Sequence, residues 1–270
     1  MLIAIAIGGR GVILKGYFYY IITGADITWA TEIPAEIYAR LYTPWRRVRF
    51  EVDLLDRVFR RYGARRIVEY GCGIGRHGYL LNKKGYSVLL TDVRDWRYGG
   101  SRRLPFKIYD VLRGGFIDLF DVGYAMGLII IFKYRDIVRV LKNIGENLRD
   151  DGVFIFDYNF GIYEEPERVI VRIDGKIYSA VLRRNQYQQV DGGLLYEYRV
   201  EVIDDKGNVV GVEDTSYPIY DRDTISRAIE EAGFVVDRII ALKWDPNEYR
   251  YRYAKRGEGD SNVYIIRKRR

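Results

Sequence analysis

The stretch Val68–Gly78, VEYGCGIGRHG, carries two overlapping glycine patterns. Read from Gly73 it is G-x-G-x-x-G, with Gly73, Gly75 and Gly78. Read from Glu69 it is an acid followed by glycine at every second position: Gly71, Gly73 and Gly75. A β-branched run, RRIVEY, leads into the loop, and HGYLLNKKG leaves it as a helix that Gly85 ends. A glycine loop between a strand and a helix lets backbone come close to a ligand, and a helix N-terminus favours negative charge.

Upstream, Glu36 to Tyr62 reads as one helix, with Leu54, Leu55, Val58 and Phe59 at helical spacing and Gly63 as its stop. Downstream, YSVLLTD is a second strand closing on Asp92, FKIYDV a third closing on Asp110, and LFDVGYAMG a fourth. RDIVRVLKNIGENLRDDG reads as an amphipathic helix with Gly152 just beyond it, and VFIFDYN is a fifth strand. This alternation predicts an α/β fold with a doubly wound, mostly parallel, Rossmann-like sheet. The pattern then changes. RVIVRI, KIYSAVLRR, LLYEYRVEVID and NVVGVED are separated by Asp174-Gly175, Asp191-Gly192-Gly193 and Lys206-Gly207-Asn208, which are hairpin signals. Three or four antiparallel strands are expected there, as an insertion over about 164–216. TISRAIEEAG is a last helix, and FVVDRIIAL and NVYIIRKR are the last two strands.

The chain has 270 residues, 48% of them hydrophobic, so one domain of 31–270 with its insertion can bury a full core. The lone Cys72 excludes an internal disulfide. Two Met, three Gln and 30% charged residues suit a heat-adapted cytoplasmic protein. Residues 1–30 form an apolar, aromatic extension, read either as short strands on the body or as an addition upstream of it. Arg10, Lys15 and Asp26 break it into pieces too short to span a membrane, and it lacks a basic segment ahead of its apolar run, so neither a span nor a signal peptide is expected. The net charge of +7 attracts anions. The basic stretches YRYRYAKR and RKRR near the end read first as solvated surface, with an RNA footprint as the rival.

A lone G-x-G-x-x-G is a weak signal. As a dinucleotide fingerprint it would start two residues late, because Gly71 occupies the position directly after the strand, and it would leave Glu69 without a role. The other register accounts for more. Glu69-x-Gly71-x-Gly73-x-Gly75, Asp92 and Asp110 at the ends of the next two strands, FDVGYAMG, and the passage LRDDGVFIFD together resemble the class I S-adenosylmethionine (SAM) dependent methyltransferases. In LRDDGVFIFD, Arg-Asp-Asp-Gly stands where Pro-Gly-Gly is commoner. The resemblance runs from about Tyr38 to the C-terminus, and GCGIGRHGYLLNKKGYSVLLTD is most similar to the small-molecule and amine branch.

The resemblance implies SAM as the cofactor. It implies that Asp92 accepts from both ribose hydroxyls, a charge-assisted pair, and that Asp110 accepts from the adenine amino group with the Val111 backbone beside it. Gly71 and Gly73 would touch the amino-acid end, with Gly75 completing the loop and Glu69 orienting it. Ala125 and Met126 would pass the methionine moiety, and Tyr38 and Tyr42, on a helix ahead of the domain, would fold over the cofactor. No metal is implied. Asp157, Tyr158 and Asn159 follow the fifth strand as candidates to face the acceptor. His77 sits in the first turn after the loop, where packing or capping outweighs proton transfer. No Asn/Asp-Pro-Pro-Tyr follows the fourth strand, and strands four and five lack the cysteine a covalent route to cytosine C5 would need. The expectation is methyl transfer to a nitrogen, less readily an oxygen, of a small-molecule acceptor. The rivals are an RNA or protein methyltransferase, a SAM-binding scaffold without turnover and, more distantly, a NAD-dependent oxidoreductase.

Overall fold

The computed structural model describes residues 28–161, 166–190 and 192–269. The expectations for residues 1–27, for Glu164 as the start of the insertion and for the turn residue Asp191 lie outside them. In chain order the elements are β1 (Thr28–Thr31), α1 (Ala35–Leu41), α2 (Trp45–Arg61), β2 (Ile67–Tyr70), α3 (Arg76–Lys83), β3 (Val88–Asp92), β4 (Phe106–Ile108), β5 (Phe120–Ala125), α4 (Tyr134–Glu146) and β6 (Leu148–Asn159). There follow β7 (Arg168–Ile173), β8 (Lys176–Val190), β9 (Gly193–Asp204), β10 (Val209–Tyr220), α5 (Arg222–Glu231), β11 (Phe234–Asp245), β12 (Arg250–Tyr253) and β13 (Ser261–Lys268).

Eight strands form the main sheet in the order β12-β11-β13-β6-β5-β2-β3-β4. The pairs β2/β3, β3/β4, β2/β5 and β5/β6 are parallel. Strand β13 lies antiparallel between β6 and β11. The sheet is buried on both faces, so neighbouring residues along a strand point into different cores. Val68, Phe154, Phe156, Tyr264 and Ile266 pack with α4 and α5. Ile67, Val122, Ile155, Val263 and Ile265 pack with α2 and α3. The chain passes from β4 to the far side of β2, so the order reverses between β2 and β5. Ligands of open α/β sheets bind at the carboxyl ends of the strands beside such a switch point.

The remaining described strands form a second, antiparallel sheet in the order β1-β10-β9-β8-β7. Its β7–β8 turn has positive φ at both Asp174 (48°) and Gly175 (79°), the twist that suits a tight hairpin. It is longer than the sequence pattern implies, ending at Tyr220, and Thr28–Thr31 supplies an edge strand to it. The end of β10 is tied to the main sheet. The Tyr158 hydroxyl accepts from Tyr220 N (3.0 Å), and the Tyr220 hydroxyl accepts from Tyr134 N (2.9 Å).

Three expectations are corrected. The helix read over Glu36 to Tyr62 is two helices, because Pro44 cannot sit inside a helix and instead precedes the first turn of α2. Helix α4 ends at Glu146, and Leu148–Gly152 already belongs to β6, where Leu148 pairs with Phe120. A further strand, β12, pairs with β11. Three cations of the basic stretches have partners: Arg252 pairs with Asp245 (3.6 Å), Arg267 with Asp237 (3.4 Å), and Lys268 Nζ donates to Leu148 O (2.5 Å). Among the described residues no helix is long and apolar enough to cross a membrane.

Candidate active site

Strand β2 stops at Tyr70 because Gly71, Gly73 and Gly75 all take positive φ, 64°, 54° and 76°. These are left-handed conformations that cost a side chain free energy. Gly75 is the residue before α3, and its N–H donates to Cys72 O (2.8 Å) to close the turn. At Gly73 a Cβ would meet only Trp96 Cζ2, at 3.8 Å, so the space over that backbone is open. Gly78 has a different role. A Cβ there would stand 2.3 Å from Leu90 Cδ2 and 2.9 Å from Glu69 Oε2, so it is the point where α3 rests on the sheet. Cys72 is buried, and burial pushes its thiol well above the ordinary range.

Asp92 ends β3 directly across from this loop. Its Oδ2 accepts from Gly73 N (2.8 Å) and its Oδ1 from Val93 N (2.8 Å). Burial raises its pKa, while the Gly73, Val93 and Arg94 N–H groups and the Trp96 indole pull the other way. Asp92 is thus a structural part of the loop as well as a candidate ligand, not the exposed strand-end acid a loop position suggests. Trp96 packs at 5.1 Å against Tyr38, whose ring lies 4.9 Å from Tyr42. Tyr38 of α1, Tyr42 just past its end and the Trp96 indole therefore form an aromatic wall beside Gly73 and Asp92. Helix α1 is fastened to α3 by Arg76, which donates to Ala39 O (2.7 Å) and to Thr43 O and lies over the Trp45 ring (4.2 Å).

Asp110 lies two residues beyond the end of β4. Its Oδ1 accepts from Leu112 N (3.0 Å), and its Oδ2 pairs with the exposed Arg113 (3.2 Å). Val111 is buried and its carbonyl accepts from Asn143 Nδ2 (2.7 Å). Ala125 ends β5 fully buried, and Met126 is partly buried. Gly127, with φ 74°, turns its N–H onto Asp157 Oδ1 (2.5 Å) at the end of the neighbouring strand β6. Tyr158, expected as a candidate to face the acceptor, is fully buried, and its hydroxyl is taken by the tie to Tyr220. Asn159 Oδ1 accepts from Gly161 N (2.9 Å).

Sequence reading does not reveal the buried polar network under the loop. Glu51, one turn after Arg47 on α2, accepts from Arg47 Nε (2.8 Å), and its other oxygen lies 2.7 Å from His77 Nε2. His77 Nδ1 is 3.8 Å from Glu69 Oε1, while Glu69 Oε2 takes Gly78 N (3.1 Å) and the Tyr124 hydroxyl (2.9 Å). Burial would raise Glu51, but the Arg47 charge and the His77 bond overcome it and hold the carboxyl at about 2. Burial dominates at Glu69 and pushes it up to about 7, against the opposing pull of His77, Tyr124 and Gly78. Burial would lower His77, and the bond to Glu51 raises it instead. His77 is therefore a bridge between two carboxylates beneath the loop. This arrangement does not bear out a role for it in proton transfer to substrate, because both ring nitrogens face those acids. The pairs are 26 and 8 residues apart in sequence, with no local pattern that announces them.

No protein-family model and no curated protein matches this sequence. Solved structures do. A SAM-dependent methyltransferase from Clostridium acetobutylicum is 14% identical and superposes over 87% of this chain and 98% of its own, with a TM-score of 0.64. A sugar N-methyltransferase from Streptoalloteichus is 15% identical over 98% of this chain and 99% of its own, with a TM-score of 0.66. An amino pentose methyltransferase from Micromonospora echinaspora, solved with SAM bound, is 15% identical over 86% and 95%, with a TM-score of 0.58. At such identities the likeness is one of fold, and the fold is that of the class I SAM-dependent methyltransferases.

Proposed function

We propose that the chain is a SAM-dependent methyltransferase acting on a nitrogen, or less readily an oxygen, of a small molecule. The observation that carries this reading is Asp92. A carboxylate at the end of β3, the strand next to the switch point between β2 and β5, is wired to the N–H of Gly73 and flanked by an aromatic wall. The Asp92 carboxylate accepts from Gly73 N and Val93 N, with Arg94 N and the Trp96 indole also set against it, so a ribose hydroxyl would meet an acid already held in place by the loop. The open face of Gly73 lets a ligand approach the backbone, and Gly71 and Gly75 hold that loop in shape. In this reading Asp110 Oδ2, shared only with the exposed Arg113 among its contacts above, accepts from the adenine amino group beside Val111. Glu69 orients the loop through Gly78, Ala125 and Met126 pass the methionine moiety, and Tyr38 and Tyr42 close over it.

Bound SAM supplies an activated methyl group on a positively charged sulfur. The protein's task is to hold the acceptor in line and exclude water. The antiparallel sheet suits that task, because β10 is tied to the carboxyl end of β6 through Tyr220 and Tyr158. The sugar-amine specificity named for two of the structural neighbours supports a small amine as acceptor. Residues 31–270 are read as the methyltransferase unit and 1–30 as an extension whose last residues edge the antiparallel sheet. The lone cysteine and the sparse Met and Gln support a cytoplasmic, heat-adapted enzyme. Calorimetric titration tests the cofactor: SAM and S-adenosylhomocysteine should bind, and NAD and NADP should not. Tight NAD binding with no response to SAM would overturn the assignment.

A further inference from the structure

Two placements of charge run against the stability of the fold. The first turn of α2 holds Arg46 and Arg47 and no acid, although the amino end of a helix disfavours positive charge. On the hairpin of β11 and β12, Lys243 stands directly across from Arg252, where like charges repel. Arg47 turns inward to Glu51. The others belong to one basic surface. Arg46, Arg49, Asp53, Arg57, Arg60 and Arg61 recur at helical spacing on the outer face of α2, and all are exposed, while Val48, Val52, Leu55 and Phe59 are buried behind them. The acid among them, Asp53, is taken by Lys84 (3.0 Å). Strand β12, at the edge of the eight-stranded sheet, lies alongside. Its Tyr253 packs on Phe50 (5.3 Å) and under the Arg57 guanidinium (5.3 Å), which also donates to the Tyr253 hydroxyl. Glu248 is shared by Arg46 (3.3 Å) and Arg250 (4.0 Å). Tyr249 and Tyr253 nevertheless remain 52% and 50% exposed, each with a guanidinium beside it in sequence or in space.

We propose that the outer face of α2 and the adjoining β11–β12 hairpin form a docking surface for single-stranded nucleic acid, a partner beyond the methyltransferase reading. The run YRYRY at 249–253 alternates rings and guanidinium groups on an edge strand, and α2 adds a row of arginines beside it. Arginines met by a phosphate chain release its counterions, the main source of affinity for nucleic acid. Tyrosine faces take unpaired bases by stacking, whatever their sequence, and a guanidinium adds cation–π attraction. A duplex keeps its base faces in its own stack, so it would engage the arginines alone. An acidic protein surface would likewise answer the charge and leave the two half-exposed rings without planar partners. The net charge of +7 acts in the same direction by drawing a polyanion in. Because this surface lies on the outer side of α2, away from the buried Glu51 and His77 under the glycine loop, docking needs no bound cofactor.

The test titrates full-length protein into fluorescein-labelled oligouridine of about 20 nucleotides, followed by fluorescence anisotropy, with an RNA duplex of the same length as the contrast. Oligouridine should bind saturably, and its affinity should fall about fiftyfold between about 50 and 200 mM salt, the loss for about four phosphate contacts on a single strand. Arg49→Ala combined with Arg61→Ala should flatten that salt slope by about half. Tyr249→Ala should weaken oligouridine by about 5- to 150-fold, the worth of one stacked base, and leave the duplex unchanged. No saturable binding at the lower salt, an affinity indifferent to salt, or a folded arginine variant with the parent's slope would overturn the surface. Tyr249→Ala protein that holds oligouridine as the parent does, with the duplex bound equally well, would reduce it to a general polyanion face and overturn the single-strand assignment. If a variant does not fold, the salt slope and the preference for oligouridine over the duplex on the unaltered protein decide. Oligouridine binding in a protein that ignores SAM would leave this surface standing and refute the methyltransferase reading alone.

Discussion

Replacing Asp92 by Ala removes two things at once, and the structure allows their sizes to be separated. The first is the set of hydrogen bonds that Asp92 accepts inside the protein, those from Gly73 N and Val93 N, each 2.8 Å long, with Arg94 N and the Trp96 indole beside them. Leaving such partly buried N–H groups unsatisfied costs about 1–3 kcal/mol in all, since water can reach some of the site. For a chain of this length that lowers Tm by roughly 2–10 °C. The second, in the reading proposed above, is the acceptor for the two ribose hydroxyls. Losing charge-assisted bonds costs about 1.5–3 kcal/mol, which is a roughly 10- to 150-fold weaker SAM affinity. Calorimetric titration well below the lowered Tm reads the second effect free of the first, and differential scanning calorimetry without ligand reads the first alone. Unchanged SAM affinity in the folded variant would remove Asp92 from the cofactor site. An unchanged Tm would refute the two loop bonds.

Glu69→Gln should flatten the pH dependence of stability. A carboxyl raised to about 7 in the folded protein stays protonated there after the unfolded chain has ionised near 4.3, so its contribution falls as pH rises from about 4.3 to 7. The full span is roughly 2–4 kcal/mol, and chemical denaturation at pH 5 and pH 8 should show a smaller difference for the variant than for the parent; an equal difference would show that Glu69 does not titrate in this window. Glu51 works with the opposite sign: held at about 2, it contributes stability above its unfolded value that is lost as pH falls from about 4.3 toward 2, so Glu51→Gln should lose that acid limb of the pH–Tm curve. Gly78→Ala should lower stability by about 1–3 kcal/mol, because its Cβ meets the fully buried Leu90 at 2.3 Å. A thermal melt that matches the parent would show that α3 can lift off the sheet there.

What could be read from the sequence was what local chemistry decides. The glycines of the loop, the strand-end acids and the hairpin turns each follow from a few adjacent residues, and the structure forms a positive-φ loop at 71–75 and a tight turn at 174–175. The break in the long helix is also local, since Pro44 marks it, but the apolar spacing that indicates the helix, at Leu54, Leu55, Val58 and Phe59, lies wholly on the far side of that proline and says nothing of where the helix begins. Leu148–Gly152 is polar and reads as a helix end. Pairing with β5 makes it strand, and pairing is a tertiary event. The same holds for β12, where only Tyr251 is buried, so no alternation shows. Tyr158 illustrates the limit for function. Its place after a parallel strand suggests the acceptor side, but its hydroxyl belongs to Tyr220, 62 residues away. The network of Arg47, Glu51, His77 and Glu69 joins residues that only the fold brings together.

Helix α1 belongs to neither layer alone. Ile33, just ahead of it, and Ile37 pack into the antiparallel sheet against Ala180 and Val202, while Arg76 of α3 holds its last turn at Ala39 O and the chain two residues beyond it at Thr43 O. In the methyltransferase reading proposed above, S-adenosylhomocysteine held behind Tyr38 would leave as one of these fastenings loosens, so substitutions at Ile37 or Val202 should change its dissociation rate, read by stopped flow, and leave the groups at Asp92 and the glycine loop as they are.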